Sequence, residues 1–171
     1  EDYFGVSVAI DGGTVVVGAH YENSRRGAAY VFRTTDGGAS YSQVAKLTAS
    51  DAAAGDYFGR SVAIDGDTVA ISGGGSVYIF RTTDGGGTWP QVAKLVASDG
   101  VSISRVAISG DIVVAGASGD DSNAGAAYVS RRSDGGATYD EVAKLTASDA
   151  AEDDNFGYSV AIDGSNVVIG A

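Results

Sequence analysis

The sequence contains no cysteine and no methionine, and only one proline and one tryptophan in 171 residues. Without cysteine there is no disulfide, thiol nucleophile or thiolate metal site, so apolar burial and backbone pairing must hold the fold. No run of 18 apolar residues is present to cross a membrane as a helix. Basic residues are scarce: 11 Lys and Arg face 22 Asp and Glu, and none runs beyond the pairs Arg25-Arg26 and Arg131-Arg132. The resulting net charge of −11 argues against nucleic acid as a partner, because phosphate binding needs a basic footprint. The opening residues EDYFG already belong to a repeat and no signal peptide is visible; a secreted protein whose signal has been removed reads the same way.

Glycine, by contrast, is abundant at 26 residues, and 44% of the chain is hydrophobic. That combination reads as many tight turns between short strands, an all-β signature. A chain of this length buries about two-thirds of its unfolded surface, enough for one domain with a substantial core.

Internal repetition organises the chain. SVAIDGGTVVVGA (7–19) recurs as SVAIDGDTVAISG (61–73), RVAISGDIVVAGA (105–117) and SVAIDGSNVVIGA (159–171), with steps of 54, 44 and 54 residues between Val8, Val62, Val106 and Val160. The short step is a deletion: GAHYENSRRGAAYVF in the first unit becomes SGGGSVYIF in the second. Each unit reads as four strands in meander order: SVAI, TVVVGA, AAYVF and, after Asp-Gly-Gly, a strand near SYSQVAKL. The turns at Asp11-Gly12, Asp65-Gly66, Ser109-Gly110 and Asp163-Gly164 supply the positive φ of tight hairpins. Valines on both faces of TVVVG require cover on both sides, which a radial stack of four-stranded sheets provides. The expected fold is an all-β β-propeller of four-stranded antiparallel blades, with blade 1 at 1–55, blade 2 at 56–99, blade 3 at 100–152 and the first half of blade 4 at 153–171. Three and a half blades do not close, since propellers use about four or more. The chain therefore reads as a piece of a larger propeller or as one completed by another chain.

FGVSVAIDGGTVVVGA, opening at Phe4-Gly5, resembles the FG-GAP repeat of integrin α-subunit propellers and of microbial and algal surface proteins; Phe58-Gly59 and Phe156-Gly157 repeat that opening. The third unit departs from it with Ser102-Ile103, and the second lacks the Gly-Ala that ends the second strand. The resemblance covers essentially the whole chain. It implies seven blades in the parent, an extracellular or cell-surface location, and a role in adhesion or recognition. It also raises Ca²⁺, held in integrin-type repeats by an Asp-x-Asp-x-Asp-Gly loop between first and second strands, but the two-residue turn here cannot wrap a cation. Asp120, Asp121 and Asn123 in GDDSNAG, or Asp149, Glu152, Asp153 and Asp154 in SDAAEDDN, are the remaining oxygen donors, each of which is otherwise a solvated acidic loop.

Thr82-x-Asp84-x-Gly86-x-Thr88-Trp89 resembles the Asp box of sialidases and other propellers, with weaker copies around Asp36 and Asp134. That likeness implies a structural hairpin between third and fourth strands, in which Asp36, Asp84 and Asp134 tie the turn and Trp89 plugs the space beneath. Sialidase-like glycosidase chemistry is a third and weaker reading, because the arginine cluster, Tyr nucleophile and acidic partner it needs are not visible. Tyr21, Arg25 and Arg26, in the loop HYENSRR, are the candidate contacts for a protein or glycan ligand, and the lone His20 beside them reads as an ordinary loop residue. Tyr30, Tyr78 and Tyr128 occupy one repeat position and read as blade packing, with Lys46, Lys94 and Lys144 along the outer strands. The functional expectation is a non-enzymatic extracellular recognition module needing no cofactor. The alternative is a structural unit of a surface fibre or coat, joined to other copies through the open blade edge.

Overall fold

The computed structural model describes residues 2–171. Three four-stranded antiparallel sheets and one two-stranded sheet follow in chain order. The first holds β1 (Ser7–Asp11), β2 (Thr14–Ala19), β3 (Ala28–Arg33) and β4 (Ser42–Leu47), and the second β5 (Val62–Asp65), β6 (Thr68–Gly73), β7 (Ser76–Arg81) and β8 (Gln91–Leu95). The third holds β9 (Arg105–Ser109), β10 (Ile112–Ala117), β11 (Ala126–Arg132) and β12 (Tyr139–Leu145); β13 (Ser159–Asp163) pairs with β14 (Asn166–Gly170) in the last. Within every sheet the strands pair with their sequence neighbours, as a propeller blade requires. The first hairpin of each blade closes with Asp or Ser as the last residue of its first strand, followed by a Gly in the left-handed region. A register shift interrupts the third and fourth strands at Val31/Phe32, Ile79/Phe80 and Val129/Ser130, increasing twist at the outer edge.

The first strands β1, β5, β9 and β13 neighbour one another in succession, so the sheets fan outward from an inner row. The second strands of the three four-stranded sheets are buried on both faces, most completely in β6, where every residue is buried. One core layer joins the first two sheets through Val16, Val31, Phe58, Ile71, Tyr78 and Trp89. A second joins the second and third through Ile79, Ile103, Val106, Val113 and Tyr128. The stack does not close. Phe4 and Val8, on the outer face of the first blade, are 58% and 65% exposed, whereas their repeat partners Phe58 and Val62 are 0% and 8% exposed. At the other end Val168 is likewise exposed.

Three sets of polar contacts cross between blades. On the inner row, Gly66 N–H donates to Asp11 Oδ2 at 2.6 Å, Gly110 N–H donates to Asp65, and Gly164 N–H donates to Ser109 Oγ at 3.1 Å. On the outer edge, Asp51 of the linker after the first blade accepts from Tyr78 Oη (2.9 Å) and Lys94 Nζ (2.7 Å) of the second. Asp99 does the same for Tyr128 (2.7 Å) and Lys144 (2.6 Å) of the third. Beneath the sheets, Arg33 donates to the Gly85 carbonyl and Arg81 to the Gly136 carbonyl (2.6 Å) and Tyr139 Oη (3.2 Å), so each third strand ends on the next blade's hairpin.

Backbone meets backbone where a new blade begins. Phe58 N–H donates to Arg26 O at 3.1 Å and Gly27 forms a parallel bridge with Phe58; Gly125 and Phe156 repeat the arrangement. A Cβ on Gly27 would fall 2.6 Å from the Phe58 nitrogen, and φ is +81° there. Gly27→Ala is therefore expected to lower stability by about 3 kcal/mol or more, combining overpacking with left-handed strain. Gly55→Ala, also at positive φ but with open space around it, should cost only about 1–2 kcal/mol. Chemical denaturation of the two variants compares them directly.

Candidate ligand-binding loops

The antiparallel meander places the loops between second and third strands, and the linkers between blades, at one end of the molecule. The loop after β2 makes a tight left-handed turn in which Asn23, Ser24 and Arg25 all have positive φ, closed by Gly27 N–H donating to Glu22 O at 3.0 Å. Such conformations are costly for non-glycine residues and concentrate where a loop has work to do. Tyr21 stands in a cluster built from three segments: its ring lies 4.5 Å from Tyr3, 4.7 Å from His20 and 5.5 Å from Tyr57, and the Arg25 guanidinium sits 5.3 Å from its centroid. Tyr3 and Tyr57 occupy the same repeat position, both left-handed, where the fourth unit has Asn155. Asn adopts that conformation readily and Tyr does not, so the rings are held there at a conformational cost. His20, Tyr21, Tyr57 and Arg60 line a pocket of about 380 Å³. Burial, then the Arg60 charge, lowers the His20 pKa, and its buried Nδ1 has no hydrogen-bond partner. Of the residues expected here, Tyr21 and Arg25 join the cluster; Arg26 contributes the carbonyl that receives Phe58.

A second cleft, of about 520 Å³, lies on the other side of Tyr57 and Arg60. Its floor is Gly73–Gly75 and its far wall Val101–Ser104. Both departures from the repeat meet here. The deleted loop leaves Gly74 and Gly75 where the first blade has HYENSRR, and Ser102-Ile103 stands where Phe-Gly stands elsewhere. In place of the paired backbone segments of the other interfaces, Ile103 N–H donates to Gly75 O at 3.0 Å.

The acidic loop of the third blade arranges its side chains differently from a cation cradle. Asp120 is 9% exposed and its carboxylate takes Lys144 Nζ at 2.6 Å, with Tyr128 Oη at 3.4 Å. Asn123 donates to Asp153 at 3.0 Å, Asp154 accepts from Ala151 N–H at 2.7 Å, and no contact joins Asp120, Asp121 and Asn123 through their oxygens. Among the described residues, no group of three or more His, Asp or Glu is disposed to hold a metal ion.

At the opposite end lie the hairpins. Asp84 Oδ1 accepts from Thr82 Oγ1 (2.8 Å), Gly87 N–H (2.9 Å) and Thr88 N–H (3.0 Å), while Oδ2 accepts from Thr88 Oγ1 (2.8 Å). Asp36 holds Ser40 and Thr34, and Asp134 holds Gly136 and Thr138, in the same manner. Donors from the backbone of Thr88 and from neighbouring hydroxyls keep the Asp84 carboxyl far below its ordinary range; those on Asp36, led by the Ser40 hydroxyl, do likewise. Trp89 is buried in the core between the first two blades, its Nε1–H donating to Gly86 O at 3.2 Å. Tyr41 is exposed and Tyr139 half-buried at the matching positions.

Several residues that organise this geometry carried no separate signal in the sequence. These are Arg33, Arg81, Asp51 and Asp99. Their repetition at fixed offsets, in RTTDGG and in TASD or VASD, was the available clue.

The family model described as FG-GAP repeat matches residues 1–32, 41–80, 89–130 and 139–171. No curated protein matches the chain. Among solved structures, that of Saccharomyces cerevisiae Sqt1 is similar in fold, with a TM-score of 0.59 at 10% identity, over 86% of this chain and 37% of that one. The chain thus spans well under half the length of that protein.

Trp89→Ala is expected to lower stability by about 3–5 kcal/mol, the range for truncating a large buried aromatic, and to leave the opposite, loop-bearing end unchanged in heteronuclear NMR spectra. Acid should unfold the protein through its tied carboxylates. The Lys144 ammonium, then the Tyr128 hydroxyl, hold Asp99 at a pKa of about 2, against about 4 for a free aspartate. A depressed pKa gives stability that is present above about pH 4 and lost as pH falls through 2. Melting temperatures measured from pH 7 to pH 2 should therefore fall mainly below pH 4, and Asp99→Asn should flatten that fall.

Proposed function

The chain belongs to the FG-GAP repeat family, and on that premise we propose that it is a non-enzymatic recognition module of an extracellular or cell-surface protein, engaging a protein or glycan through its blade loops. The family is linked to adhesion and recognition, and the gathering of Tyr3, His20, Tyr21, Tyr57, Arg25 and Arg60 from three separate segments at one end carries the reading. Aromatic rings offer large contact area at low entropic cost, and arginine adds directional donors, the pairing on which recognition surfaces depend. The hairpin aspartates have another occupation: each carboxylate is filled by donors of its own turn, which supports a structural and not a hydrolytic role. The module requires no cofactor. Ca²⁺ at Asp120, Asp121 and Asn123 is not part of the proposal, because Lys144 already neutralises the Asp120 carboxylate.

A second reading, as a building unit of a larger propeller or surface assembly, rests on the end faces. Phe4, Val8 and Ile10 are exposed where their repeat counterparts are packed by a preceding blade. The two readings are compatible, since one concerns the loop end and the other the faces of the stack. Binding of the immobilised chain to glycan and protein arrays tests the first. Tyr21→Ala combined with Arg25→Gln should reduce the array signal at least about tenfold, as for loss of one stacked ring and one charged donor, without altering the melting temperature by more than a few degrees. Full retention of binding by that variant would overturn the assignment to this loop.

A further inference from the structure

We propose that the cleft between the second and third blades, walled by Tyr57 and Arg60 and floored by Gly73–Gly75, binds an anionic saccharide. The proposal rests on the recognition reading above and names its ligand class. Four observations carry it.

The cleft is made by departures from the repeat. At both other interfaces, peptide from the loop between second and third strands fills this place: Arg25 O and Arg26 O receive Tyr57 and Phe58, and Asn123 O and Ala124 O receive Asn155 and Phe156. In the second blade that loop is two residues, 74–75, against eight in the first, 20–27, and the linker that follows is four residues shorter, so the space is left as a cleft of about 520 Å³. This volume lies within the range of small-molecule sites, about 300–1,000 Å³.

Its lining is mixed: Val96, Val101 and Ile103 give it an apolar side, while the Ser102 and Ser104 hydroxyls and the main chain of Gly74 and Gly75 give it a polar one. A saccharide presents hydroxyls at a matching density, whereas an apolar ligand would leave these groups without partners.

The shared wall carries a ring and a cation. Tyr57 keeps its ring at a position whose left-handed backbone suits the Asn of the fourth unit, and sugar rings pack on such faces. Arg60 is exposed and, among the described residues, lies within ion-pair distance of no carboxylate, in a chain carrying 22 acidic residues. Arg25, over Tyr21 on the far side of Tyr57, likewise forms no ion pair among the described residues. What sets Arg25 and Arg60 apart from the other arginines is their place beside Tyr21 and Tyr57.

The same cations decide against another ligand of aromatic clusters. Three rings such as Tyr3, Tyr21 and Tyr57 alone would suit a quaternary ammonium, but Arg25 and Arg60 beside them repel a cation and attract a carboxylate or sulfate.

The test uses isothermal titration and chemical-shift mapping of the whole chain with three tetrasaccharides: tetragalacturonate, a heparin-derived tetrasaccharide and neutral cellotetraose. Expected is binding of at least one anionic probe, with shifts at Tyr57, Arg60, Gly74, Gly75 and Ser102, and at least about tenfold weaker binding of cellotetraose. Tetragalacturonate and heparin fragment distinguish a carboxylate-bearing from a sulfate-bearing ligand. Arg60→Gln should weaken the anionic probe about tenfold. Tyr57→Asn, which installs the residue the fourth unit already uses, should weaken all saccharides while the melting temperature holds. Equal binding of neutral and anionic probes, shifts confined to another face, or preference for an oligoglutamate peptide over every saccharide would overturn the proposal. If no saccharide binds but Tyr21→Ala with Arg25→Gln still abolishes array binding, the saccharide assignment fails and the recognition reading stands. If array binding survives that variant too, both fail.

Discussion

The contact on which this structure turns is the approach of one blade's backbone to the start of the next. Gly18 and Gly27 of the first blade lie so close to Phe58-Gly59 that neither position has room for a Cβ, and Gly116 and Gly125 stand in the same relation to Phe156-Gly157. The phenylalanine is thereby held between the two sheets: Phe58 is fully buried, with its ring 5.5 Å from Tyr78 and 6.0 Å from Phe80 of its own blade. A four-stranded sheet with apolar residues on both faces cannot be stable alone. The glycine contact fixes how far each sheet is rotated from its neighbour, and every longer-range contact inherits that geometry.

The polar contacts between blades divide the remaining work by radius. At the inner row a carboxylate or hydroxyl of one turn receives the glycine N–H of the next; at the outer edge an aspartate joins Tyr and Lys of the following blade; beneath, Arg33 and Arg81 reach the neighbouring hairpins. The Lys–Asp pairs are solvent-exposed, and such pairs contribute little, about 0–1 kcal/mol each. Their value lies in placement. Lys46, Lys94 and Lys144 also sit 5.2–5.5 Å from the centroids of Tyr30, Tyr78 and Tyr128, so one ammonium covers an aromatic face and neutralises a carboxylate together. In the first blade Glu22 of the following loop takes the place that Asp51 and Asp99 hold in the others, which ties the candidate ligand loop to the outer strand.

The propeller class, the four strands per blade and the two-sided burial of TVVVGA were legible because repetition supplies its own alignment: a residue that recurs four times at one offset declares a structural role. The same logic separated Tyr78 and Tyr128, which are buried, from Tyr21, which has no counterpart. The loop residues were legible only in part. Tyr21 and Arg25 stood out by their isolation, but Tyr57 and Arg60 lie in a linker whose neighbours Phe58 and Gly59 carry the repeat signature, and that signature masked them. The cleft could not be read at all. Its walls are separated by over 40 residues, and a deletion in sequence does not say whether the neighbouring chain closes over the gap or leaves it open.

The charges show how a single repeat serves both a scaffold and a variable end. On the body of the stack all three lysines and Arg132 are ion-paired, Arg33 and Arg81 are spent on carbonyls, and Arg105 donates to Ser104 O and lies over the Tyr158 ring. Arg25 and Arg60, at the loop end, are left facing solvent beside aromatic rings. Tyrosine in a left-handed turn where asparagine suffices carries a conformational cost that the stack itself does not require. The backbone contact that fixes blade rotation needs only Gly and Phe at defined places, so the residues on either side can vary without loosening the stack. The interface that abandons even those, at Ser72 and Ile103, shows the limit of that freedom: Ile103 is buried with its N–H on Gly75 O, as the Phe58 N–H is on Arg26 O, and fills the core behind the cleft while its mouth stays open.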